Sequence, residues 1–217
     1  MRISVLGCGR WGSFIGWYLA RHNHEVCQWG RVGGKSFEQL KSGKNEYVEL
    51  DSRINLTSDL KKALEFGDII VISISAQSLR SFTAEILKIA DVKDKIFVLC
   101  MKGIEVETGK RLSEVLKDCG IKGDKIAVWL GPGHIQAFTQ NQPNCMVIDS
   151  ENPELVKTLC DAFRSELIRF YYGDDIIGSE IGAAAKNVMG IAAGMLDGGN
   201  LSTLKGPLMS RGAREVA

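Results

Sequence analysis

The chain has 217 residues, an apolar share of 45% and near-balanced charge, 27 Lys+Arg against 26 Asp+Glu. That size and composition suit a globular protein of one large domain, or of one domain with a smaller companion. No long run of one charge is present, which excludes a nucleic-acid footprint or a membrane-surface patch, so any anionic partner must be held locally.

Short β-branched apolar runs alternate with stretches of helical period, the pattern of βαβ units and a parallel sheet. The first predicted strand, residues 2–6, runs into Gly7-Cys8-Gly9-Arg10-Trp11-Gly12 and a helix over 11–22. This is G-x-G-x-x-G in its required strand-to-helix setting. Gly7 serves the tight turn, Gly9 the close approach of a pyrophosphate and Gly12 the packing of helix on strand; Arg10 and Trp11 join them as expected cofactor contacts. The helix N-terminus then offers free N–H groups to the phosphates.

The second predicted strand, 25–29, ends Cys27-Gln28-Trp29-Gly30-Arg31 without the acidic residue that would favour NAD. Arg31 can pair with a 2′-phosphate, which admits NADP, or it lies solvated in the loop that holds Gly33 and Gly34. Further strands are predicted over 68–74, 95–101, 125–130, 144–149 and 167–172, and helices over 58–66, 77–89, 108–119 and 153–165. Thr57 or Ser58 is the expected cap of the helix at 58–66, and Asn152-Pro153 caps the one at 153–165.

From about residue 178 the composition turns to Gly and Ala, which predicts a long helix and no further strand. Gly182, Gly190 and Gly194 each cost such a helix about 1 kcal/mol against alanine, so close packing on another backbone or a ligand is expected there. The expected division is a Rossmann-type α/β domain over 1–177 and, over 178–217, the beginning of an all-helical substrate domain. The six scattered cysteines show no C-x-x-C pair and no histidine at ligand spacing, which predicts reduced thiols in a cytoplasmic protein without a metal. The apolar strand follows Met1 too closely for a signal peptide, and Lys186 and Asn187 interrupt the most apolar stretch, so no membrane insertion is expected.

Three more segments stand out: Lys102-Gly103-Ile104-Glu105, Gly131-Pro132-Gly133-His134 and Gly182-Ala183-Ala184-Ala185-Lys186-Asn187. Together with Trp11-Gly12, Ser75-Ala76-Gln77-Ser78-Leu79-Arg80, Asp197-Gly198 and Ser210-Arg211-Gly212, they make the chain resemble the NAD(P)-dependent glycerol-3-phosphate dehydrogenases. The resemblance implies reduction of dihydroxyacetone phosphate to sn-glycerol 3-phosphate with NAD or NADP. It makes Lys186 the catalytic lysine, Lys102 a second active-site lysine that also meets cofactor and substrate, and Gly131 and Asn187 substrate neighbours.

Several positions depart from the family pattern. Ser75 replaces a usual proline, Gly133 a usual serine, and Gln136 or Ala137 a usual acid. His134 is expected to be a hydrogen-bonded loop residue. Family members continue well past Ala217, so a truncated chain or a pairing of two copies is expected. The alternatives are a dinucleotide-binding module without catalysis, or a related 6-phosphogluconate, hydroxyacid or UDP-sugar dehydrogenase, since fold does not fix function.

Overall fold

Strands that are apolar at consecutive positions must be covered on both faces, and β4 (Ile69–Ile72), buried at all four residues, is the plainest case. The computed structural model, which describes residues 1–216, meets this with eight strands in one sheet. With β1 (Arg2–Leu6), β2 (Glu25–Trp29), β3 (Ile54–Thr57), β5 (Ile96–Leu99), β6 (Ile126–Leu130), β7 (Asn144–Ser150) and β8 (Ile168–Tyr172), the order is β3-β2-β1-β4-β5-β6-β7-β8. Pairing is parallel from β3 to β6, β7 runs antiparallel to β6, and β8 is parallel to β7. The direction of winding reverses between β1 and β4. The crevice beyond their carboxyl ends is therefore the place where such sheets take ligands.

Two apolar clusters sandwich the sheet. On one face α1 (Arg10–Arg21), α2 (Lys35–Lys41), α6 (Ile135–Thr139) and α7 (Pro153–Phe163) contribute Phe14, Tyr18, Phe37, Phe138 and Phe163, which pack with Trp129 of β6. On the other, α3 (Leu60–Phe66), α4 (Leu79–Ile89) and α5 (Leu112–Asp118) contribute Leu64, Phe82, Ile86 and Leu116. At roughly 25 cal/mol per Å² of apolar surface removed from water, these two layers are the main stabilisation of the unit.

Side-chain caps set three of the helix starts. Asn152 accepts from the backbone N–H of Glu154 and Leu155 ahead of Pro153, as the sequence predicts. The cap of α3 is different: Asp59 accepts from Lys62, and Thr57 accepts from Asp59 itself. A carboxylate in place of a hydroxyl caps the helix because Leu60, two residues after the predicted helix start, is the first to turn inward. The predicted helix over 108–119 begins at Leu112, since Thr108 and Gly109 (φ +70) are spent on a turn that returns Glu105 N–H to Lys110 O. Short α2 and α6 and edge strand β3 add to the predicted elements.

After β8, Asp175 caps α8 (Ile176–Gly198) by accepting from Gly178, and α9 (Lys205–Val216) folds back against it. The close packing on another backbone expected of the α8 glycines is not found among the described residues: at Gly182 a Cβ would meet the Val216 side chain at an ordinary 3.5 Å, and Gly190 and Gly194 face open space. Val188, Ile191 and Met195 on the same helix are exposed, so the far part of α8 carries its glycines without a neighbour. None of the described helices is long and apolar enough to cross a membrane. All six cysteines are free.

Candidate cofactor and substrate cleft

At the switch point, Gly7 leaves β1 with φ +127, a conformation that L side chains rarely adopt, and its N–H donates to Trp29 O at 2.9 Å. A Cβ on Gly7 would run into the carbonyl of Ser73, and one on Gly12 into that of Gly7, so the strand, the turn and α1 meet without side chains between them. Above Gly9 a Cβ would meet nothing within 4 Å. Gly9 is also the N-cap of α1 and has no side chain to offer, and the first turn carries no acid. The leading N–H groups of α1 thus stand free beside open space, an arrangement that fits an anion.

That space is a cavity of about 760 Å³. Gly7, Cys8, Gly9, Arg10 and Trp11 line its floor; Trp29, Gly30 and Arg31 with Lys35, Ser36 and Phe37 line one end; Ser73 to Ala76, Cys100 to Lys102 and Asn187 line the other. Trp29 is fixed by its indole N–H donating to Ser58 O at 3.1 Å. Arg31 is exposed, and the Lys35 ammonium pairs with Glu46. Arg10 reaches over to donate to Gln136 Oε1 at 3.0 Å, which ties α6 to the start of α1. The sequence did not single out Trp29, Lys35, Ser36, Phe37 or Ser73. The segment at 35–41 carries no signal that could have found its three residues, since it is seven residues long and lacks a side-chain cap.

Lys102 leaves the end of β5 half-buried and donates from Nζ to Gly131 O at 3.0 Å. Its loop is gripped from the β4 side. Gln77 donates to Ile104 O at 2.8 Å and accepts from Val106 N at 2.9 Å, while Arg80 donates to both oxygens of Glu105 at 2.9 and 2.8 Å and to Asp118 at 3.0 Å. Burial, and then the nearby Lys186 ammonium, push the Lys102 amine down to about 8. Lys102 and Asn187, 85 positions apart in sequence, line the same end of the cavity, and this brings the adjoining Lys186 of α8 toward Lys102. Lys186 itself is exposed on α8, while the next residue, Asn187, turns into the cavity. Gly131 lies beneath Lys102, outside the main cavity, and its φ of +155 together with a Cβ contact at 3.0 Å to Met146 demands glycine. His134 corrects an expectation: its imidazole is exposed and has no hydrogen bond among the described residues, and only its carbonyl is used, accepting from Ala137 and Phe138 at the start of α6.

An open α/β sheet with a glycine turn and an uncapped helix at its switch point defines a dinucleotide-binding protein, here with two adjacent ammonium groups at one end of the cleft. The chain belongs to the NAD-dependent glycerol-3-phosphate dehydrogenase family. The model of that family's N-terminus matches residues 2–156 and that of its C-terminus residues 175–217. The glycerol-3-phosphate dehydrogenase [NAD(P)+] of Thermoanaerobacter sp. (strain X514) is 35% identical over 221 residues, covering 100% of this chain and 66% of that protein. The enzyme of the same name from Moorella thermoacetica is 35% identical over 220 residues, covering 99% of this chain and 65% of its own length. The crystal structure of glycerol-3-phosphate dehydrogenase from Coxiella burnetii shares the fold with a TM-score of 0.86 at 24% identity, over 99% of this chain and 66% of that one. The chain thus spans about two thirds of the length of these relatives.

Proposed function

We propose that this chain supplies the cofactor cleft and two catalytic-site lysines of an NAD(P)H-linked oxidoreductase that reduces dihydroxyacetone phosphate to sn-glycerol 3-phosphate. The observation that carries it is that Lys102 and Asn187, the chain neighbour of Lys186, line one end of a cleft whose floor is an uncapped glycine turn. Residues 1–177 form the cofactor domain in this reading, and 178–217 open the substrate domain.

Gly7, Gly9, Arg10, Trp11 and Gly12 would hold the pyrophosphate on the free N–H groups of α1. Arg31 would meet the adenosine ribose, with no carboxylate at the end of β2 to reject a 2′-phosphate, so both NAD and NADP are accepted. The bound nicotinamide supplies the hydride. When a ketone accepts it, charge develops on the carbonyl oxygen, and an ammonium there stabilises that charge and returns a proton to it. Lys186, exposed on α8, takes that role. Lys102, held to Gly131, and Asn187 orient the substrate. Burial first, and then the like charge of Lys186, depress the Lys102 amine, and a dianionic phosphate ester brought to this end of the cleft relieves both. Six unpaired thiols support a cytosolic setting.

The test is NADPH binding by calorimetry together with NADPH oxidation at 340 nm in the presence of dihydroxyacetone phosphate. Lys186→Ala should lower turnover by about 100-fold or more and leave NADPH affinity within about twofold. Binding without turnover in the parent chain would leave only a dinucleotide-binding module, and absence of binding would end the proposal altogether.

A further inference from the structure

Helix α8 is 23 residues long, yet only Ile176 and Glu180 in it are buried. Glu180, Ala183 and Asn187 fall three and four apart and so share one face. Glu180 is 6% exposed, Ala183 packs on the cluster beneath α4 and α5, and Asn187 lines the cleft. The face that carries Asn187 to the cleft is thus fastened to the α/β unit through its first two turns.

The fastening is a buried carboxylate fully supplied with donors. Glu180 Oε2 accepts from Arg111 Nη1 at 2.8 Å and from Ser113 Oγ at 2.5 Å, and Oε1 accepts from the backbone N–H of Ser113 at 2.9 Å. Arg111 is the N-cap residue of α5 and is itself held by Glu114, which accepts from the Arg111 backbone N–H at 3.0 Å and lies 3.3 Å from its Nε. Glu180 therefore supplies from another helix the acceptor that the start of α5 lacks. One turn of bonds at Glu180, with Ser179 Oγ donating to Asp149 Oδ2 at 2.8 Å beside it, fixes the rotation of α8 about its axis as well as its position.

We propose that Arg111 and Glu180 are positioning residues that set the rotation of α8 so that Lys186 lies beside Lys102 and Asn187 faces the cleft, an assignment that rests on the reading of those lysines as site residues. Lys186 sits six residues beyond Glu180, about 9 Å along the helix. A tilt of roughly 10° at the fastening displaces it by more than 1 Å, a misplacement sufficient to cost about 100-fold in a reaction that depends on alignment. A charged pair is suited to this because its hydrogen bonds are directional. Apolar side chains of similar volume would restore burial without specifying rotation.

That contrast is the experiment. In the full chain, the double variant Arg111→Met/Glu180→Met and the single variant Glu180→Gln are compared with the parent for urea midpoint, for NADPH affinity and for the pH dependence of Lys102 acylation read by mass spectrometry. Lys102 hydrogen-bonds to the Gly131 carbonyl, and its amine is depressed first by burial at this end of the cleft and then by Lys186 of α8, so its titration reports whether α8 keeps its place over it. The expected result is a double variant as stable as the parent that binds NADPH, with the Lys102 midpoint moved up from the parent's toward the ordinary lysine value, and an intermediate shift in Glu180→Gln. An unshifted midpoint in a folded, NADPH-binding double variant overturns the proposal. So does unfolding of both variants, which makes the pair a requirement of folding alone. None of these readouts needs turnover, so failure of the proposed reaction is recognised separately.

Discussion

At the scale of single residues, the phosphate turn depends on one that does not belong to it. Gln28 in the middle of β2 is 1% exposed, and its Nε2 donates to Gly7 O at 2.6 Å, which fixes the carbonyl of the strained glycine. Its Oε1 has no partner and lies over Gly16, where a Cβ would collide with it. In an ordinary helix, Gly→Ala stabilises by about 1 kcal/mol. Here Gly16→Ala should instead destabilise by roughly 1–3 kcal/mol through overpacking and weaken dinucleotide binding, because the displaced amide releases Gly7. Urea denaturation with Gly16→Ala, Gln28→Ala and the double variant checks this. The double variant should lose less than the sum of the singles, since the collision is gone once Gln28 is shortened.

At the scale of elements, the loop that carries Lys102 is ordered by the helix beside it. Glu105 is 6% exposed and its carboxylate is met by Arg80 and by Thr108 Oγ1 at 2.6 Å. The Arg80 and Thr108 hydrogen bonds hold Glu105 below the usual carboxylate range. Arg80→Ala removes the bidentate partner from a carboxylate with little access to water. Backbone amides over 102–106 should then exchange about tenfold faster, with dinucleotide affinity about tenfold weaker; unchanged exchange would mean that Gln77 alone orders the loop. How much of this was legible varied by element. The central parallel strands are readable because burial on both faces makes them continuous apolar runs, as in Ile69-Ile70-Val71-Ile72. β3 escapes because it is a four-residue edge strand with Asn55 and Thr57 turned away from the core. α2 and α6 escape because seven and five residues without a side-chain cap leave little period to detect. The glycine turn announces itself through spacing, whereas Gln28, Arg111 and Glu180 acquire meaning only from partners 21, 69 and 69 positions away.

For the whole molecule, acid should weaken the fold before the carboxylates titrate. His22 and His24 occupy the return from α1 to β2, which closes the first βαβ unit. The His24 Nε2 meets Ala162 O at 3.1 Å, its Nδ1 has no partner, and its ring stands edge-on to Phe163 at 5.6 Å. Burial lowers its pKa, with the amino terminus and His22 adding to the effect and the Ala162 contact opposing it; burial and then Arg21 lower that of His22. Both folded-state values lie below the unfolded value of 6.5, so the unfolded chain takes up protons first as pH falls. The stability due to neutral histidines is complete above about pH 6.5 and declines below it, by at most about 1.4 kcal/mol per pH unit for each residue. Asp149 works in the opposite sense, since burial raises its pKa and the folded state gains protons before the unfolded one, but that exchange belongs to the carboxylate range. Between pH 7.5 and 5.5 the urea midpoint should therefore drop for the parent chain and drop less for His24→Gln. A parent midpoint that is flat across this interval would show that neither imidazole is held neutral by the closing of the first unit.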